Sequence, residues 1–227
     1  MKKIFFLLAA TTFFLSGCKK NGGGGGNTTP DTYLPSNDGT KWVYKVTEGG
    51  VASPDVTYTM GSLAATVNGR TYKVATASPN PPYSNRNFAQ ETNNYWTTVN
   101  IMGNDLELNI LQADKDVNGT WTSSQTLTGL SGLPGGITSA TIDISYKITQ
   151  KGGSLAVNGV TYNDVIKVDI TSITATPVGI PFPLNIGTAN FTFAKNIGLI
   201  QMASNISNST IGISQNDNYE LDSYDIK

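Results

Sequence analysis

Ile142-Asp143-Ile144-Ser145-Tyr146-Lys147-Ile148-Thr149 is the stretch that decides the fold. Ile142, Ile144, Tyr146 and Ile148 alternate with Asp143, Ser145, Lys147 and Thr149. In an extended chain successive side chains point to opposite faces, so the octet has one apolar and one wet face. Such alternation marks a half-buried antiparallel strand. The same period of two recurs on either side. Trp42, Tyr44 and Val46 alternate with Val43, Lys45 and Thr47, and Val56, Tyr58 and Met60 with Asp55, Thr57 and Thr59. Ile166, Val168 and Ile170 face away from Lys167 and Asp169. Val, Ile, Thr and Tyr suit a pleated surface. A sustained, capped 3.6-residue period is absent, and one helical turn near Phe88 to Asn94 is the most helix expected.

The turn chemistry agrees. Asn68-Gly69, Asn118-Gly119 and Asn158-Gly159 each follow a valine and lead into Thr71-Tyr72, Thr120-Trp121 and Thr161-Tyr162. Asn-Gly between β-rich runs signals a hairpin, because a type I′ turn needs positive φ at both central residues. Two of these hairpins look like a repeat. Gly61-Ser62-Leu63-Ala64 leads to Val67-Asn68-Gly69, and Gly153-Ser154-Leu155-Ala156 leads to Val157-Asn158-Gly159. Either two related β-units share one sheet, or hairpins of like composition coincide. Gly129 to Gly136 and Thr174 to Asn190 read as apolar, Gly/Pro-rich loops. Surfaces this apolar need cover, from the domain's own core and barrel mouth or from a ligand, partner or lipid. The expected architecture is all-β: a single antiparallel, strongly curved sheet closing as a barrel or half-barrel, which disposes of strand edges.

The amino terminus carries a different signal. Lys2 and Lys3 precede an apolar run from Ile4 to Leu15. A charged segment before a short apolar one is signal-peptide anatomy, and the run falls short of the roughly 20 residues a spanning helix needs. Leu15-Ser16-Gly17-Cys18 then looks like a lipobox, with Cys18 the residue that bacterial lipoproteins acylate. The expected division is a signal peptide over 1–17, a lipidated Cys18 with a flexible Gly-rich tether over 18–37, and one all-β domain over 38–227. Several acyl chains on Cys18 would hold the protein on a membrane with no helix crossing it. Lys19 and Lys20 stand where an aspartate retains some lipoproteins at the inner membrane. That favours the outer membrane, on its periplasmic or its surface face. Asn21 to Pro35, with glycine unbroken from Gly22 to Gly26, is spacer. A coil of this kind spans roughly 20–25 Å root mean square. A phosphate-binding loop would need Gly-Lys-Ser/Thr and a preceding strand, and neither is there.

Charge and residue types exclude several chemistries. Of 15 Lys and Arg and 16 Asp and Glu, cleavage before Cys18 removes two lysines and no acid, leaving a net charge of −3. That is no field for nucleic acid. Cys18 is the only cysteine, so once acylated it leaves no disulfide or thiolate metal site. There is no histidine, which rules out a Ser-His-Asp triad and removes the commonest general base. Asp105 and Glu107, two apart on a strand and about 7 Å between Cα atoms, form the one carboxylate pair worth naming. They equally form the wet face opposite Leu106 and Leu108. Asp114-Lys115-Asp116-Val117-Asn118-Gly119 matches the opening of a calcium loop, with Asp114, Asp116 and Asn118 as ligands. Gln125 stands at its twelfth position, where the bidentate glutamate belongs. Trp42, Trp96 and Trp121 would suit a sugar-stacking platform, or a core.

Phe193-Ala194-Lys195-Asn196-Ile197-Gly198-Leu199-Ile200-Gln201, then Glu220-Leu221-Asp222-Ser223-Tyr224, resembles the tail signature of a broad set of Bacteroidota-type envelope lipoproteins, in part grouped as TapB-like. Those often read Tyr-Ala-Lys-Gly-Val-Gly-Leu-Val-Lys and end in Glu-Leu-x-Ser-Tyr. Trp42-x-Tyr44 and Tyr162 to Val168 look like the same set. Asn196 replaces the first glycine and Gln201 the last lysine. The resemblance implies an all-β envelope protein and brings no activity with it. In physical terms the tail is structural: Phe191 and Phe193 enter a strand, Gly198 bends the chain, and Leu199 to Met202 and Tyr219 to Asp222 are expected to pair.

The function expected is a non-catalytic, lipid-anchored protein of the bacterial envelope. A concave apolar sheet would bind a hydrophobic small molecule or an envelope-protein segment. The alternative is a surface adhesion, assembly or glycan-binding module. No cofactor is expected beyond the calcium candidate.

Overall fold

The octet at 142–149 lies within a strand of 13 residues, Ser139–Lys151, with Ala140, Ile142, Ile144, Tyr146 and Ile148 all buried. It is one of 14 strands in a computed structural model that describes residues 31–101, 103–130, 136–179, 182–209 and 213–227. In chain order the first seven are β1 (Lys41–Glu48), β2 (Val51–Val67), β3 (Arg70–Ser78), β4 (Arg86–Glu91), β5 (Asn94–Ile101), β6 (Asn104–Gln112) and β7 (Thr120–Thr128). Then come β8 (Ser139–Lys151), β9 (Ser154–Val157), β10 (Val160–Asn163), β11 (Val165–Pro177), β12 (Leu184–Ala194), β13 (Gly198–Asn208) and β14 (Ile213–Asp225). No α-helix lies among the described residues.

Twelve strands form one antiparallel sheet in the order β6-β5-β4-β3-β2-β1-β14-β13-β12-β11-β8-β7, and β9 and β10 form a separate two-stranded flap. The order follows the chain in two six-strand meanders, β1 to β6 and then β7, β8 and β11 to β14. A backbone ladder from Lys41↔Asp225 to Glu48↔Asp217 joins the meanders on one side. On the other side β6 and β7 meet through side chains. Trp121 Nε1 donates to the Asn109 carbonyl at 2.9 Å, and Asn104 Nδ2 to the Thr128 carbonyl at 2.8 Å. Gln125 bonds to both Asp105 and Glu107. The sheet is thus nearly closed as a barrel.

Two Asn-Gly turns are type I′. Asn68 and Gly69 have φ of 47° and 84°, and Asn158 and Gly159 of 48° and 77°. They also occupy equivalent places, each at the link between the second and third sheet strands of its meander. In the first, β2 and β3 shift register between Met60 and Ala64 and run on as a distal arm. In the second, the arm separates as the β9–β10 flap, with Tyr162 opposite Leu155. Tyr72 and Tyr162 are buried in their respective arms. The sequence repeat is therefore also a repeat of topology.

Four expectations change. Asn118-Gly119 is not a two-residue hairpin, since β6 and β7 share no backbone ladder and the turn ends a longer connection over 113–119. Phe88 to Asn94 is not helical. Arg86–Glu91 pairs with β5, from Glu91↔Asn94 to Phe88↔Thr97, because Phe88 packs against core while Gln90 and Glu91 stay wet. Much of Thr174 to Asn190 is strand, since β11 runs to Pro177 and β12 begins at Leu184, with Ala175, Leu184 and Ile186 buried. Finally, Tyr33 and Leu34 lie within the segment read as spacer, yet Leu34 is buried at 3% exposure and Tyr33 packs edge-on to Tyr95. Asp31–Lys227 forms one compact unit that contains its own core. Cys18, the signal peptide, the glycine run and residues 131–135 of the Gly129–Gly136 loop lie outside the described residues.

Candidate ligand cavity in the barrel lumen

Alternation places one face of each strand in the lumen, and pairing brings those faces together. Trp42 stands opposite Tyr58, Phe88 opposite Thr97, Thr97 opposite Leu108, and Met202 opposite both Phe191 and Tyr219. With Leu34, Tyr44, Arg86, Val99, Ile110 and Leu199 these residues enclose a cavity of about 80 Å³. The lining is almost wholly apolar.

Its residues with polar groups are Tyr44, Tyr58, Tyr219, Thr97, Trp42 and Arg86. Tyr44 meets Tyr58 and Tyr219 edge-on, with ring centres 6.1 and 6.4 Å apart. The Tyr44 hydroxyl donates to the Leu199 carbonyl at 2.8 Å. Burial pushes the Tyr44 phenol well above its ordinary pKa and that of Tyr219 up to about 12, so both stay neutral. Arg86 is half-buried, and its Nε donates to the Tyr58 hydroxyl at 3.3 Å. Burial opposes the Arg86 charge, but the Tyr58 and Tyr219 hydroxyls more than offset this and hold its pKa above the ordinary value. The lumen thus sets one fixed positive charge and three phenol hydroxyls within an apolar lining that contains no Asp, Glu, His, Cys, Ser or Lys.

The residues singled out from sequence fall elsewhere. Asp114 and Asp116 are exposed in the 113–119 connection. Asp116 lies 3.6 Å from Lys151 Nζ, which also donates to the Lys115 carbonyl at 2.8 Å. Asn118 has φ of 70°, and its N–H bonds to the Ile148 carbonyl. An ammonium group thus sits beside the loop where a cation would go. Among the described residues no three His, Cys, Asp or Glu gather as a metal cluster. Asp105 and Glu107 are not poised as an acid–base pair. Asp105 accepts from Asn100 Nδ2 at 2.9 Å. Glu107 accepts from Arg70 Nη1 at 2.7 Å, from Asn68 Nδ2 at 3.0 Å and from the Tyr72 hydroxyl. The tryptophans form no common platform. Trp42 is buried, Trp121 stacks on Tyr146 at 5.2 Å, and Trp96 lies under Arg70, whose Cζ is 3.7 Å from the ring centre.

The tail signature is scaffold. Trp42 Nε1 donates to the Ile197 carbonyl at 2.7 Å, and Lys195 pairs with Asp31 at 2.7 Å. Asn196 N–H bonds to the Thr32 carbonyl at 2.6 Å. Asn196 has φ of 61°, a left-handed conformation that glycine takes freely and asparagine tolerates best among the rest. That is why asparagine can stand where the resembling sequences have glycine. Sequence reasoning missed Arg86. The signal is its place two residues before Phe88, in phase with it on β4, but no strand is expected from sequence over 86–91.

No family model and no curated protein matches the sequence. Two solved structures align with this chain. A protein of Parabacteroides distasonis, provisionally described as a lipoprotein, aligns over 86% of this chain and 99% of its own, with a TM-score of 0.50 and 13% identity. A protein of Bacteroides fragilis, provisionally described as exported and with a YmcC-like fold, aligns over 86% of this chain and 100% of its own, with a TM-score of 0.41 and 10% identity. At 13% identity the likeness to the first is one of fold.

Proposed function

We propose that this chain is a non-catalytic, lipid-anchored protein of the bacterial cell envelope that takes an apolar ligand into its barrel lumen. The cavity carries the reading: about 80 Å³ lined by Phe88, Val99, Leu108, Ile110, Phe191 and Met202, without groups for bond-making. The lipobox at Cys18 and the resemblance of the tail to envelope lipoproteins support the anchor and the outer-membrane placement. An engineered apolar cavity of about 150 Å³ takes benzene. The ligand here is therefore small, or only one end of it enters. The test is NMR of residues 19–227 titrated with butanol and hexanol. Methyl resonances of Val99, Leu108 and Met202 should move, and Val99→Trp should abolish the response. Resonances that stay still would sink the lumen reading. Retention of a Cys18→Ala chain on membranes would sink the anchor.

One observation favours a second reading, an adhesion or assembly module. Val178 and Phe182, in the loop between β11 and β12, are 72% and 59% exposed. Val178→Ser with Phe182→Ser would abolish capture of envelope components on that reading and leave the alcohol titration unchanged.

A further inference from the structure

The chain has two arginines among its 11 described Lys and Arg residues, and their surroundings differ sharply. Arg70 is saturated. Its Nε and Nη2 donate to Glu91 at 2.8 and 3.3 Å and its Nη1 to Glu107 at 2.7 Å, and its Cζ lies over Trp96. Among the described residues Arg86 meets only tyrosine hydroxyls. All 16 Asp and Glu of the chain lie among the described residues, and none forms an ion pair with Arg86. A guanidinium carries five N–H donors in a planar fork. Two phenols keep the Arg86 charge in place, and a planar anion in the cavity would add the bidentate, charge-assisted partner that no carboxylate of the chain supplies.

We propose that Arg86 is the anion-recognising group of the lumen and that the ligand is an aliphatic carboxylate, its head on the Arg86 guanidinium and its chain among Phe88, Val99 and Met202. This deepens the lumen reading and rests on it. The head is a carboxylate because a planar two-oxygen anion matches the planar fork bidentately. It is a monoanion because the cavity lining contains no second cation, and a dianion would bring one buried charge too many. The tail is aliphatic because the remaining lining is hydrocarbon, threonine and neutral phenol. The Tyr58 hydroxyl takes the Arg86 Nε donor at 3.3 Å, and the terminal nitrogens carry the paired donors that a carboxylate would take.

Calorimetry on residues 19–227 at pH 7 tests this with butyrate and hexanoate against butanol and hexanol, and with inorganic phosphate as a bare anion. Hexanoate should bind at least tenfold tighter than hexanol, and phosphate should not bind. Arg86→Met should bind hexanoate and hexanol alike, while Arg86→Lys should keep part of the preference. The wild-type preference is informative by itself should Arg86→Met melt too low to titrate. Equal binding of hexanoate and hexanol overturns the role of Arg86 and leaves the lumen reading standing, with Arg86 a tie between Tyr58 and Tyr219. Binding of neither overturns both. Phosphate binding as tightly as hexanoate overturns the aliphatic tail.

Discussion

The carboxamide of Gln125 stands in for a peptide group opposite Glu107. Its Oε1 accepts from the Glu107 N–H at 3.0 Å, and its Nε2 donates to the Asp105 carbonyl at 2.8 Å. A strand neighbour would make the same two bonds, so one side chain continues the ladder where the β6 and β7 backbones do not pair. Gln125→Ala leaves a half-buried donor and acceptor without these partners and should cost about 1–2 kcal/mol. Amide hydrogen exchange at Glu107 should quicken while that at Ile148 holds. Unchanged protection at Glu107 would show that the seam closes by other means.

Glu107 itself anchors the distal arm of the first meander to β6. Its side chain is 13% exposed and that of its partner Arg70 is 20% exposed. This pair is therefore better shielded than the exposed ion pairs that contribute little. Glu107→Gln should destabilise by about 2 kcal/mol, because Arg70 keeps its charge and loses a partner. A double-mutant cycle with Arg70→Met should return a coupling of about 1–2 kcal/mol by urea unfolding. A coupling near zero would mean that Glu91 and Trp96 hold Arg70 unaided.

Gly198 is where the tail signature meets the first strand. Its φ is 109°, and a Cβ there would lie 3.2 Å from Trp42 Nε1. Both the backbone and the Trp42 bond to Ile197 resist a side chain. Gly198→Ala should cost about 2–4 kcal/mol, with a shift in Trp42 fluorescence. A loss below half a kcal/mol would refute the close approach.

Strand identity was legible wherever one face is wet, because the alternation is then written in side-chain type: β1, β8 and β11 are plain in Trp42-Tyr44-Val46, Ile142–Ile148 and Ile166–Ile170. The type I′ turns at Asn68 and Asn158 were legible because few residues adopt positive φ. Closure of the seam was not. Gln125 counted only as a missing calcium ligand, and a side chain that mimics backbone has no periodic signature. Leu34 was hidden by the glycine-rich composition before it. Truncating the side chain with Leu34→Ala should cost about 3 kcal/mol, as for a buried leucine, measurable as a fall in urea midpoint. Arg86 was hidden because a charged residue in phase with an apolar face contradicts the pattern that identifies the strand. Such contradictions concentrate at binding sites.

Tyr146 gives the barrel a defined alkaline limit. It is 1% exposed and stacks on Trp121, with the ring planes 3° apart. Its hydroxyl lies 3.3 Å from Ser123 Oγ. Burial pushes its phenol up to about 12, against the smaller downward pull of Ser123 and the Asn109 backbone. An unfolded tyrosine titrates near about 10. The folded state therefore disfavours the phenolate. This contribution to stability is fully present below pH 10 and is lost as the pH rises through about 12. Two pKa units correspond to about 2.7 kcal/mol. Tyr162 and Tyr219, also pushed up to about 12 by burial, act in the same direction, so the wild-type barrel should lose stability steeply over this window. Tyr146→Phe keeps the ring against Trp121 and removes the titration. The difference in unfolding free energy between wild type and variant should therefore drift by roughly 2 kcal/mol from pH 9 to pH 12, in favour of the variant at the alkaline end. Other groups titrate alike in both proteins and cancel. A difference independent of pH would mean that the Tyr146 hydroxyl reaches water when ionised and that this end of the barrel opens without unfolding.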